Sequence, residues 1–101
     1  MEEKLLKITR SPDPKKKYRA LVRSKDKRLR NIDFGAKGYQ QFADSTPLKK
    51  FARANHSDAQ RRKRYFLRHS GVDNKTEALR REIRKSKGVY NAKILSHKFL
   101  W

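Results

Sequence analysis

The chain has 101 residues, of which 29 are lysine or arginine and 10 are aspartate or glutamate, giving a formal net charge of +19. This length suits one domain, but the charge is far above that of an ordinary soluble domain. Because like charges repel, such an excess opposes compaction unless an anionic partner supplies counter-charge. That partner could be DNA, RNA, an anionic membrane face or an acidic protein surface.

The composition also excludes several classes of protein. The chain has no cysteine, which rules out disulfides and cysteine-ligated zinc and fits a reducing cytoplasm or nucleus. No apolar run approaches the roughly 20 residues that span a membrane. The first residues, Met1-Glu2-Glu3-Lys4, are not followed by the apolar core of a signal peptide. We therefore expect a soluble intracellular product.

Alternating apolar residues predict β-strands in the first third of the chain. The candidates are Leu5–Arg10, Tyr18–Arg23 and Arg28–Phe34. The polar turn Ser24–Lys27 between the second and third runs predicts a hairpin, and the first run could add a third strand. The residues predicted on the buried face of the hairpin are Tyr18, Ala20, Val22, Ile32 and Phe34.

Helices are predicted in the rest of the chain. Two short helical segments are expected at Tyr39–Ala43 and Pro47–Arg53, the second with Leu48 and Phe51 facing inward. The longest helix is predicted to begin after Ser57, which is the expected N-cap. Gln60, three residues later, completes a capping box with it.

The pattern predicts that this helix runs to about His69 and that Gly71 terminates it. A second helix begins near Asn74 and ends before Gly88. A third covers Asn91–Phe99, where apolar residues recur at spacings of three and four.

These elements predict one α+β domain. Its short N-terminal antiparallel β-hairpin or three-stranded sheet is followed by three to five short helices. Residues 1–14 form a leader strand or arm, residues 15–35 the β-hairpin and residues 36–101 the helical part.

Basic residues cluster in the second half of the chain. On a helix, Arg61, Arg64 and Arg68 share a face with Tyr65, and this face could lie along a phosphate backbone, since the planar arginine fork suits phosphate. The alternative is a solvated face whose long stems cover apolar surface. The run 61–64 also fits a nuclear-targeting tetrapeptide. The predicted nucleic-acid or anion-binding residues are Arg61, Arg62, Lys63, Arg64, Arg68, Arg80, Arg81, Arg84 and Lys85.

The aromatic residues could stack on the bases of a single strand, but their strand and helix spacing favours core packing. The residues predicted to hold the fold or to anchor it to a partner are Phe34, Tyr39, Phe42, Phe66 and Trp101.

The sequence predicts no metal site, no cofactor and no catalytic residue. The three histidines, His56, His69 and His97, are too scattered for a metal motif, whereas His69 is placed to cap its helix. The segment 34–38 has the wrong length for a phosphate loop and no serine or threonine after its lysine. No nucleophile, base and orienting group can be assembled, so the chain is not expected to be an enzyme.

Several residues form a pattern found in a known protein family. They are Phe34-Gly35, Lys37-Gly38-Tyr39 with Phe42, Asp58, Arg61-Arg62, Arg64-Tyr65, Arg68-His69, Ser96 and Leu100-Trp101. The pattern resembles small basic virion-type proteins encoded by nucleocytoplasmic large DNA viruses, the giant-virus group that includes chloroviruses and marseilleviruses. The resemblance covers roughly residues 17–101. The segment Lys75–Lys87 is more basic than that pattern, and Met1–Pro14 lies outside it.

The resemblance implies a non-enzymatic structural component of a virus particle. Such a minor capsid or internal virion protein would bridge other capsid proteins and an anionic partner, which is nucleic acid or the anionic inner membrane face. It would be synthesised in the host cytoplasm, with nuclear entry possible, and would reside in the virion. The alternative is a sequence-nonspecific DNA-binding or genome-packaging protein, and the third candidate is a ribosomal-type RNA-binding protein.

Overall fold

The computed structural model describes residues 1–101 and contains an antiparallel sheet followed by helices. The strands are β1 (Lys4–Arg10), β2 (Lys16–Arg23) and β3 (Leu29–Ala36), and the helices are α1 (Ala59–Ser70), α2 (Lys75–Lys85) and α3 (Ala92–Phe99). One short 3-10 helix, Ala52–Ala54, precedes α1. The predicted α+β class is confirmed, with three strands in the sheet.

The sheet has the strand order β1-β2-β3, and both pairs are antiparallel. Tyr18 on β2 pairs with Phe34 on β3, and Ala20 pairs with Ile32. Because side chains alternate between the faces of a strand, Tyr18, Ala20 and Val22 all point inward and have no exposed surface. The predicted buried face is therefore confirmed, and the leader strand β1 is a full member of the sheet.

The main core lies between the sheet and α3. Ile94 and Leu95 on α3 join Phe34 and Tyr18 in one buried cluster, which Leu100 completes after the helix. A smaller cluster under α1 and α2 contains Tyr65, Phe66 and Ala78. Tyr65 and Phe66 bury one side of α1, and His97 of α3 contacts the C-terminal half of this helix.

The helix ends follow most of the predicted signals. Asn74 caps α2 by accepting a hydrogen bond from the Glu77 backbone N–H at 3.1 Å. Gly71 ends α1 in the left-handed conformation with φ of 75°. The prediction that Ser57 caps α1 is wrong, because Asp58 accepts from the backbone N–H groups of Gln60 and Arg61.

The two short helices predicted before α1 are wrong. The segment between β3 and α1 is a loop with one isolated bridge, between Gln41 and Asn55, and a single 3-10 turn. Side-chain hydrogen bonds to the backbone compete with helix formation. Here the Asp44 carboxylate accepts from the backbone N–H groups of Thr46 and Phe51.

The buried side chain of Asp44 connects this loop to the sheet. It accepts a hydrogen bond from the Tyr18 hydroxyl and another, at 2.6 Å, from the Thr46 hydroxyl. Burial raises the pKa of Asp44, but the hydrogen bonds from Thr46 and Tyr18 outweigh it, so the pKa lies below its ordinary value. The carboxylate is therefore held in its charged form.

The predicted aromatic anchors have different environments. Phe34 and Phe66 are fully buried, as expected, while Phe42 and Trp101 are half-buried. The core interpretation of Tyr39 is wrong, because its side chain is 72 % exposed. Its segment is not a helix, so helical spacing does not turn the ring inward. None of the helices is long and apolar enough to cross a membrane.

Replacing Asp44 with alanine tests the role of its carboxylate. The change leaves the buried donors of Tyr18 and Thr46 without their acceptor, so we expect the free energy of unfolding to fall by about 3 kcal/mol. Urea denaturation followed by circular dichroism measures this loss. The exposed Asp73 makes no side-chain hydrogen bond or ion pair, so Asp73→Ala should change stability by less than about 0.5 kcal/mol. Equal effects of the two substitutions would contradict this account.

Candidate nucleic-acid interface

Helix α1 has a strongly positive surface with no acid in it. Its sequence contains Arg61, Arg62, Lys63, Arg64 and Arg68 and neither aspartate nor glutamate. None of these five side chains forms an ion pair. The last three are exposed, and the first two are half-buried. The charges of the three exposed side chains are therefore available to a partner.

Three arginines of α1 lie along one side of the helix. At 3.6 residues per turn, Arg61, Arg64 and Arg68 fall within an arc of about 60° and extend over about 10 Å of the helix axis. Tyr65, which the sequence places on the same face, turns into the interior and is buried. The predicted stripe is thus formed by the arginines alone.

Arg62 has a different role from the other cations of α1. Its guanidinium lies over the Phe42 ring at 4.5 Å from the centroid. Cation–π contacts of this kind stabilise a protein by about 0.5–2 kcal/mol. Arg62 therefore helps to join α1 to the loop beneath it, and its charge is less free than the sequence suggests.

The predicted anion-binding residues of α2 are exposed but more often paired. Arg80 forms an ion pair with Glu77 and Lys85 with Glu82, each at 3.7 Å. The Arg81 guanidinium donates a hydrogen bond to the Ser70 carbonyl at the end of α1. Arg84 is exposed and forms no ion pair. The surface of α2 thus adds charge beside α1 but is partly neutralised within the helix.

Most acids of the chain lie in other parts of the structure. Six of the ten form ion pairs, with seven of the 29 basic residues. A further acid, Asp58, caps the first turn of α1. The hydrogen bond that its carboxylate accepts from the backbone N–H of Arg61 lowers the pKa of Asp58. The remaining basic residues have no acidic partner within the chain.

A buried hydrogen-bonded network joins α1 to the other two helices. The imidazole of His97 on α3 contacts the Tyr65 hydroxyl through Nδ1 at 2.9 Å and the Ser70 hydroxyl through Nε2 at 2.8 Å. Ser70 in turn donates to the Glu82 carboxylate on α2 at 2.9 Å. The network holds the basic helix in one orientation.

The hydrogen-bonding pattern of this network fits a neutral imidazole that carries its proton on Nε2. Because the Ser70 hydroxyl donates its only proton to Glu82, its oxygen accepts a hydrogen bond from the Nε2–H of His97. The Nδ1 atom of His97 then accepts a hydrogen bond from the Tyr65 hydroxyl. Burial lowers the pKa of His97 to about 4, against an upward effect of Glu82. The ring therefore stays neutral near pH 7, and all its polar atoms have partners.

This network was not predicted, because the three histidines lie far apart in the sequence. The structure brings the rings of His69 and His97 to 6.4 Å from each other. A signal for His97 was present, because it follows Ile94 by three residues on the buried side of α3. The prediction that His69 caps its helix is wrong, since its ring contacts Tyr65 at 4.5 Å and makes no hydrogen bond to a helix-end carbonyl. No group of three or more potential ligands is arranged to hold a metal ion.

The C-terminal aromatic ring completes the support of α1. Trp101 stacks on Tyr65, with 4.1 Å between ring centroids and 14° between the planes. Its ring also lies 5.1 Å from that of His56, in the loop before α1. Trp101 therefore packs against both α1 and the loop that precedes it.

The fold and this surface define a small α+β protein with an outward-facing basic helix. The chain is similar over residues 6–52 to a family described as "Family of unknown function (DUF5754)". The matched part contains most of β1, all of β2 and β3, and most of the loop fixed by Asp44, while α1 to α3 lie outside it. No curated protein and no solved structure matches the chain.

The His97 network predicts acid sensitivity between about pH 6.5 and pH 4. The unfolded chain takes up a proton at the ordinary histidine pKa, whereas folded His97 resists it down to about 4. The contribution of neutral His97 to the free energy of unfolding is therefore fully present above pH 6.5. It falls by up to about 3 kcal/mol as the pH drops to 4. Urea denaturation at a series of pH values measures the loss.

His97→Gln separates this effect from that of the other titrating groups. Burial also lowers the pKa values of His56 and His69, which contribute in the same direction in both proteins. The variant should be less stable at pH 7 but should lose less stability than the wild type on acidification. Parallel pH profiles for the two proteins would show that His97 does not stay neutral in the fold.

Proposed function

We propose that this chain is a non-enzymatic structural protein that binds the phosphate backbone of nucleic acid through α1 and the adjoining surface of α2. One observation carries the proposal: α1 presents five cations, contains no acid and forms no ion pair. A helix whose only task was to be soluble would mix charges of both signs.

The chemistry of the exposed side chains favours phosphate over other anions. Arg64 and Arg68 can each present two parallel N–H groups to phosphate oxygens, and Lys63 adds a point charge. Such contacts release condensed counterions, so affinity should fall steeply with salt. They carry no information about base sequence, and we expect binding to be sequence-nonspecific.

The proposed setting is the particle of a large DNA virus. It rests on the resemblance of the residues around Phe34, Arg61 and Leu100-Trp101 to virion-type proteins of that group. In this setting the chain is a minor capsid or internal virion protein. Its basic helix faces the genome or the anionic inner membrane face, while other surfaces contact capsid neighbours.

Neutralising two exposed cations of α1 tests the proposed interface. The double variant Lys63→Gln, Arg64→Gln should weaken binding to a 12-base-pair duplex about five- to tenfold at physiological salt. The slope of log K against log salt concentration should also become less negative by about 2. Fluorescence anisotropy with a labelled duplex measures both quantities.

A matched control removes the same charge from the β2–β3 turn. Lys25→Gln, Lys27→Asn lowers the net charge equally, and asparagine suits the positive φ of 67° at position 27. This variant should keep most of the affinity and the wild-type salt slope. If both double variants weakened binding equally, net charge alone would determine affinity and the assigned interface would be wrong.

Quantitative mass spectrometry of purified particles tests the virion proposal. The structural role predicts that the protein is present in intact particles and also in shells stripped of their genome. Loss together with the genome would contradict the capsid role and favour genome packaging. Absence from intact particles would contradict both.

A further inference from the structure

A cleft of about 300 Å³ lies between the end of β3, the loop at residues 39–41, α1 and the last residues of the chain. Its walls include Lys17, Arg61 and Arg68, and they contain no aspartate or glutamate. Three aromatic side chains, Tyr39, Tyr65 and Trp101, also line it. The cleft thus combines positive charge with aromatic surface.

The backbone holds the Tyr39 ring at the edge of this cleft. Gly38 turns the chain with φ of 93°, a conformation that a residue with a Cβ rarely adopts. The buried ammonium of Lys17 then donates a hydrogen bond to the Tyr39 carbonyl at 2.7 Å. The Tyr39 ring itself is 72 % exposed and contacts no other aromatic ring. The backbone of Tyr39 is therefore fixed, while its large aromatic ring is left exposed to solvent.

Two arginines lie on the α1 side of the cleft. The Arg61 guanidinium donates to the Gln40 side-chain oxygen at 2.7 Å, which orients it toward the loop and leaves its other N–H groups free. Arg68 forms no ion pair and no side-chain hydrogen bond within the chain. The two arginines are seven positions apart in the helix, which places them about 10 Å apart along its axis.

His69 adds a polar but uncharged group to the same wall. Burial, together with the charges of Arg68 and Lys93, lowers the pKa of His69, so the imidazole is neutral near pH 7. A neutral imidazole offers one donor and one acceptor. The cleft therefore presents cations for phosphate, a ring for stacking and a hydrogen-bonding group for a base edge.

We propose that this cleft holds one unstacked nucleotide of a single-stranded nucleic acid, with its base on Tyr39 and its flanking phosphates on Arg61 and Arg68. The inference rests on the proposed function and adds to it a preference for unpaired strands. In a duplex each base is already stacked within the helix and cannot reach an aromatic ring inside a cleft. Single strands expose their bases, and stacking of one base on an aromatic side chain contributes about 1–3 kcal/mol.

Fluorescence anisotropy with a labelled 12-nucleotide oligo(dT) and a 12-base-pair duplex tests the site. Tyr39→Ala should weaken oligo(dT) binding about tenfold at constant salt, the lower part of the range for one lost stack. Duplex binding should remain unchanged, because the duplex uses the exposed cations of α1. Tyr39→Phe keeps the ring and should bind oligo(dT) as the wild type does. Oligo(rU) of the same length, measured in parallel, distinguishes RNA from DNA as the source of the strand.

Leu67→Ala is a matched control, since it removes an exposed apolar side chain from α1 outside the cleft. It should leave both affinities unchanged. If Tyr39→Ala changed the affinity for neither ligand, or for both equally, the proposed nucleotide site would be wrong. The backbone-binding function would still stand if the wild type bound the duplex with a steep salt slope. If the wild type bound neither ligand, both proposals would fail.

Discussion

The shortage of acids around the basic residues is the constraint on which the rest of this structure depends. Twenty-nine cations share the chain with ten acids, and only seven of the cations are in ion pairs. Repulsion among the unpaired charges opposes compaction. The fold places five of them on α1, where no acid is present and where a polyanion can neutralise them.

The acids that the chain does contain organise the fold. Asp44 fixes the loop against Tyr18 of the sheet, and Glu82 completes the hydrogen-bonded network that begins at Tyr65. These polar networks supplement a small apolar core, since seven of the buried residues are polar or charged. Buried polar groups rigidify a structure when all of them have partners. The basic helix is therefore held rigidly although little apolar surface lies beneath it.

Much of the fold could be predicted because its signals are local. Alternation placed Tyr18, Ala20 and Val22 on the buried face, and the side chain and backbone preferences of Asn74 and Gly71 marked helix ends. The loop before α1 could not be predicted, since its shape depends on Asp44 meeting Tyr18, 26 residues away. Helical spacing predicted which arginines of α1 share a face. The position of Tyr39 depends on that loop, so helical spacing misplaced its side chain.

Thermal unfolding of the intact chain with and without a 12-base-pair duplex, in low salt, tests the central claim most directly. A ligand that binds only the folded state at 100 times its Kd stabilises that state by about 2.7 kcal/mol, which raises the Tm of a domain of this size by about 10 °C or more. We predict this rise in low salt and its loss in 1 M NaCl, where the charges are screened. A Tm that is high in low salt and does not respond to the duplex would contradict the account.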